Sequence, residues 1–150
     1  MRVQLLKILQ KIFIPLELIG ILSLVIGNFM EDDIMYISIA FILLAAIYFI
    51  ASFFPPPESI RNAIMVTIFK MLKIGCSVSL IGIMFNVLSL TGNVTILYVG
   101  LAIIVVCLFI ILIGIMIKPD TIRQLKLWTF RGLVIAAFSA ILIAFPGIIG

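Results

Sequence analysis

Residues 57–62 read Pro57-Glu58-Ser59-Ile60-Arg61-Asn62, and residues 119–124 read Pro119-Asp120-Thr121-Ile122-Arg123-Gln124. Every position is identical or a close chemical substitute across an interval of 62 residues (119 − 57). Each copy follows a long apolar run and precedes a short basic segment that leads into the next run. Recurrence at a fixed period marks a duplicated unit. Aligned without gaps, residues 11–62 match 73–124 at 14 of 52 positions, including Lys11/Lys73, Gly20/Gly82, Tyr36/Tyr98 and Arg61/Arg123. Shared Ile and Leu carry little weight in apolar runs, so the argument rests on the Gly, Tyr, Pro and Arg. The chain divides into a first unit over 1–62, a second over 63–124 and a partial third over 125–150, all within one integral membrane domain.

Composition fixes the surroundings of these units. Hydrophobic residues make up 65% of the chain and charged residues 11%, with a mean hydropathy of +1.47. A soluble domain of this length leaves roughly 30% of the unfolded chain's surface exposed to water. So apolar a chain has too little polar surface to cover that area. Its apolar runs also reach the ~18 residues that mark a membrane-crossing helix.

Taken in order, the first 14 residues place Gln4, Lys7 and Lys11 on one arc and Leu5, Ile8, Leu9, Ile12 and Phe13 on the other. That is a basic amphipathic segment suited to an anionic membrane surface. A secretory signal peptide is the competing reading. Glu17 in the following run and the lack of a small-x-small cleavage site speak for retention. Spans are predicted over 15–29, 34–54, 74–90, 94–117 and 132–149. Pro55-Pro56-Pro57 and Pro119 stop the second and fourth, since proline supplies no helical N–H. Glu31-Asp32-Asp33 and Thr91-Gly92-Asn93 form turns at the opposite ends. Two crossings per unit give successive units the same orientation. The expected fold is an all-α membrane protein of five transmembrane helices: two tandem parallel hairpin repeats plus a fifth helix. Inverted repeats, common among secondary transporters, have the other symmetry.

All ten Lys and Arg residues fall in the N-terminal segment or in the stretches after the second and fourth spans. The other side receives Glu31, Asp32 and Asp33. By the positive-inside rule the N-terminus is cytoplasmic and the C-terminus lies outside a cytoplasmic (inner) membrane. Short basic amphipathic segments, 59–73 and 121–131, are expected along the cytoplasmic face, with Trp128 as a headgroup-level anchor. The repeated motif (Pro57, Glu58, Ser59, Arg61; Pro119, Asp120, Thr121, Arg123) then reads as a helix start. Proline ends one helix, Ser or Thr caps the next, and the acid sits near its positive end. A gate or partner-docking site is the functional alternative.

Chemistry-bearing residues are few. Histidine is absent, which removes the commonest general base. Cys76 and Cys107 lie in apolar runs without metal-ligand spacing and read as small buried hydrophobes. No catalytic, cofactor or metal motif is present, so the chain is not expected to be an enzyme or to bind nucleic acid. Glu17 is the single formal charge inside a predicted span. It invites a coupling role, although pairing with Lys11, Lys70 or Lys73 near the interface accounts for it structurally. Asn86 is the other candidate intramembrane polar residue, placed for an interhelical hydrogen bond. Gly20, Gly75, Ser79, Gly82, Ala136, Ala140 and Ala144 form small-residue stripes that permit close helix packing. The expected function is a non-catalytic subunit or scaffold in an inner-membrane assembly or homo-oligomer, with anionic headgroups, other membrane subunits or itself as partners. The alternative is a small transporter or channel using Glu17. A membrane-disrupting effector also fits, but no residue selects it.

Overall fold

The computed structural model describes residues 15, 17–22, 34–54, 63–117 and 122–145, which are helical apart from the turn over 88–92 and the ends of helices at 53–54 and 145. No strand occurs among them. Pro15 and residues 17–22 are helical and form α1. The other helices are α2 (Ile34–Ser52), α3 (Ala63–Val87), α4 (Asn93–Ile117) and α5 (Ile122–Ala144). Three stretches are long and apolar enough to cross a membrane: Met35–Ser52, Ala63–Val87 and Asn93–Met116. The apolar part of α5, Trp128–Ala144, is shorter.

The basic stretches expected as separate surface segments differ in the structure. From Ala63 and from Ile122 onward they are the opening turns of α3 and α5. No Pro or Gly interrupts 63–73 or 122–131, so the backbone has no reason to break. Lys and Arg continue a helix easily, laying their stems on apolar neighbours. At 1.5 Å per residue, α3 is about 37 Å long, more than the ~30 Å hydrocarbon core.

α3 is the central helix and packs against α2, α4 and α5. Its buried residues run from Ile68 to Met84 and lie on several sides of the helix. The turn into α4 explains why α3 stops. Leu90 N–H donates to Phe85 O at 2.8 Å and Ser89 N–H to Asn86 O at 3.0 Å, with Ser89 at φ 52°. That is a Schellman closure of the last carbonyls, with serine in the left-handed position more often held by glycine. Gly92 (φ 85°) then reverses the chain, and its carbonyl accepts the Ile96 N–H at 3.1 Å to begin α4.

Small residues bring α3 and α4 together. A Cβ at Gly82 would lie 2.9 Å from the Leu97 backbone N, and one at Gly100 would lie 2.7 Å from the Ser79 backbone N. Gly75 faces Ile103 and Ile104 in the same antiparallel register. Gly20 faces the Leu44 side chain. In the 62-residue register, Leu97 would correspond to Met35 and not to Leu44. The two glycines that the offset equates therefore have differently placed neighbours. On α5, Ala136 is buried while Ala140 and Ala144 are exposed. A strict spacing of four drifts about 40° per step from the 3.6-residue turn; the buried side of α5 instead follows Gly132, Ala136, Ser139 and Leu142.

Candidate intramembrane polar site

Two helical spacings set up the site. Phe69 and Lys73 are four apart on α3, and Trp128 and Arg131 are three apart on α5, so each aromatic shares a helix face with a cation. α3 and α5 run parallel, with Phe69 beside Trp128 and Leu72 beside Gly132. Both aromatic–cation pairs consequently fall at one level. The Lys73 ammonium lies 4.4 Å from the Phe69 ring centroid and 4.6 Å from that of Trp128. The Arg131 guanidinium carbon lies 5.0 Å from the Trp128 centroid. Tyr48, from α2, meets Trp128 edge-on at 5.8 Å.

Glu17 of α1 reaches into this cluster. Its Oε1 accepts the Tyr48 hydroxyl at 2.7 Å, and its Oε2 pairs with Arg131 Nη2 at 2.7 Å. The Glu17 and Arg131 side chains are 12% and 19% exposed, so neither is the wet surface pair that the sequence suggested. Among the described residues the cation paired with Glu17 is Arg131, not Lys70 or Lys73; Lys11 lies outside them. The reason is tertiary. Glu17 meets Tyr48 of α2 and Arg131 of α5, while the Lys73 ammonium is turned to the Ala51 carbonyl and the Phe69 and Trp128 rings.

Lys73 is 4% exposed and donates to the Ala51 carbonyl at 2.8 Å. That carbonyl belongs to the last turn of α2, whose final carbonyls lack i+4 donors within the helix, and it also accepts the Phe54 N–H at 3.3 Å. The lysine thus serves as a cap supplied by a neighbouring helix. One turn further along, Ser77 Oγ donates to Ala45 O at 2.8 Å. Lys73 is ten residues from the start of α3, about 15 Å along its axis. Burial at that depth is costly unless the charge finds partners; two ring faces and a carbonyl supply them.

Asn86 does not join this site. Thirteen residues separate it from Lys73 on α3, about 20 Å, and its carbonyl closes the turn into α4. Pro57, Glu58, Ser59, Arg61, Pro119, Asp120 and Thr121 lie outside the described residues; Arg123 is described only as part of the α5 backbone. Ser79 and Ser139 have fully buried hydroxyls without a hydrogen-bond partner among the described residues. Cys76 and Cys107 are buried free thiols. No group of His, Cys, Asp and Glu able to hold a metal occurs among the described residues.

Tyr48, Lys73 and Arg131 do not stand out in the sequence as site residues. A signal for them exists, since Tyr48 is the one tyrosine deep within a predicted span and a phenol there needs a partner. The paired aromatic–cation spacings on α3 and α5 are the second signal. No protein-family model matches the chain, and neither does any curated protein or solved structure.

Proposed function

We infer that the chain is a non-catalytic multi-pass subunit or scaffold of a membrane assembly, or of a homo-oligomer. It crosses the inner membrane five times with its N-terminus cytoplasmic and its C-terminus outside, as two parallel hairpins and a fifth helix. The parallel course of α3 and α5 supports the five-crossing arrangement, because helices one hairpin apart must start on the same side. The observation that carries the functional reading is that both Glu17 carboxylate oxygens are engaged, by Tyr48 and by Arg131. The carboxylate fastens three helices together, which is a structural task. Purification in mild detergent tests the reading: a stoichiometric partner or a defined homo-oligomer is expected, and a lone monomer overturns it.

A second reading, a small transporter or channel, is favoured by one observation. Glu17, Tyr48, Lys73 and Arg131 gather exchangeable protons at a level where intramembrane charge often marks an ion path. Glu17→Gln separates the two. As a scaffold, the variant leaves Arg131 without its carboxylate, so assembly is weakened, while the protein that does assemble shows the same ion flux as the parent in liposomes. As a coupling group, glutamine keeps the shape but cannot exchange the proton, so proton- or cation-driven flux is lost while assembly is normal.

A further inference from the structure

α1 is attached to the bundle in an unusual way for an apolar helix. Leu18, Ile19, Ile21 and Leu22 are all exposed, and only Gly20 is buried, against Leu44. Its polar tie to the bundle is the Glu17 carboxylate. Beneath that carboxylate, α2 and α5 make no backbone contact with each other among the described residues. The space between them is bridged by side chains: Tyr48 from one side, Trp128 and Arg131 from the other, with Lys73 and Phe69 of α3 beneath. Glu17 therefore lies across the cleft between α2 and α5, which these side chains fill and whose floor is α3.

The groups in that cleft suit an anion. Tyr48 contributes an O–H donor and Arg131 a planar fork of N–H donors, already arranged on two oxygens of one acid. That fork matches phosphate oxygens as well as it matches a carboxylate. Lys73 adds a point charge held between two ring faces, its polar partner a backbone carbonyl. Among the described residues the cluster holds two cations and one carboxylate, so one positive charge is left over. Lys70 lies one turn nearer the start of α3 and is half-buried. The cleft sits in the end of the bundle that the charge bias assigns to the cytoplasmic leaflet, where anionic lipids concentrate.

We propose that the Tyr48–Lys73–Arg131 cleft binds the phosphate of an anionic phospholipid entering between α2 and α5, and that Glu17 is a tethered carboxylate holding the same donors until the lipid arrives. The arrangement gives an internal competition. Lipid phosphate gains Arg131 and Tyr48 when Glu17 gives them up, and α1 then loses its polar tie to α2 and α5. The acyl chains stay in the bilayer while the phosphate takes the place of the Glu17 carboxylate. The proposal requires membrane residence but is independent of whether the chain is a subunit or a carrier.

Trp128 is the single tryptophan of the chain and touches three of the four polar groups, so its fluorescence reads the site directly. The full chain is reconstituted in phosphatidylcholine vesicles containing a minor share of phosphatidylglycerol, with bromine on the chains of one lipid or the other. Quenching by brominated phosphatidylglycerol is expected to exceed its share of the bilayer several-fold. Glu17→Gln should raise that excess, because the competitor is gone. Lys73→Met and Arg131→Lys should lower it towards the bilayer composition. A Glu17→Gln excess equal to or below that of the parent overturns the proposal, and so does an excess that survives both cation substitutions. Inorganic phosphate added to purely zwitterionic vesicles separates the sources: it should leave Trp128 emission unchanged. A shift as large as that from phosphatidylglycerol would make the ligand a free anion and overturn the lipid assignment.

Discussion

The α3–α4 contact and the cluster around Trp128 hold helices together by opposite means. Between α3 and α4 the residues are small, and the backbones approach until Gly82 and Gly100 leave no room for a Cβ. Nothing there is charged. Around Trp128 the residues are large, aromatic and charged, and they span a gap between helices whose backbones stay apart. The 62-residue offset makes the contrast sharper, because it equates Glu17 with Ser79. The acid fastens α1 to α2 and α5; the serine is fully buried beside Gly100. In lipid, dispersion and close fit are the general source of helix association, since the tails are as apolar as Leu. A bundle held only by fit is tight along its whole length. One fastened by a carboxylate can be released by anything that competes for the carboxylate's partner.

Arg131→Gln tests the contrast most strongly. It leaves the Glu17 carboxylate buried without its cation, and breaking such a pair costs about 3–5 kcal/mol. A large drop in the unfolding midpoint in detergent is expected. Glu17→Gln combined with Arg131→Gln should recover most of it, because the removed charges are then balanced. If the double variant is as unstable as the single one, the cluster is held by packing and the contrast fails.

Gly100→Ala probes the other region with a smaller effect. The added methyl meets the Ser79 backbone, which cannot rotate away, so overpacking of about 1–3 kcal/mol is expected. Unfolding of the single variant measures it, and Ser79→Gly in the same chain should relieve only part. Stability equal to that of the parent would mean that α3 and α4 are looser than this contact implies.

Ala140→Leu is the smallest change. Ala140 is exposed on the bundle exterior, and a larger apolar residue facing lipid should alter monomer stability by no more than about 0.5 kcal/mol. Detergent unfolding checks that, while the oligomeric state read alongside tests a different point. Loss of a homo-oligomer with intact monomer stability would place this face of α5 between copies of the chain.

The residues themselves determine much of this protein. Apolar runs bounded by Pro55–Pro57, Pro119 and the Gly92 turn mark where α2 and α4 lie to within a few residues, because backbone hydrogen bonding in lipid leaves a helix few alternatives. Glu17 is equally plain, since a charge among apolar residues is conspicuous whatever the fold. Its partner is another matter. The lysines sharing its predicted level were as plausible in one dimension as Arg131, which is 114 positions away (131 − 17). Only the tertiary placement of Glu17 between Tyr48 of α2 and Arg131 of α5 selects the guanidinium, and only the parallel register of α3 and α5 brings Phe69 and Trp128 edge-to-face beside Lys73. Local patterns determine where helices form because each turn bonds to itself. Which charges meet depends on which helix faces converge, and in a bundle whose helices are apolar all round, that is decided by the three-dimensional fit of the side chains.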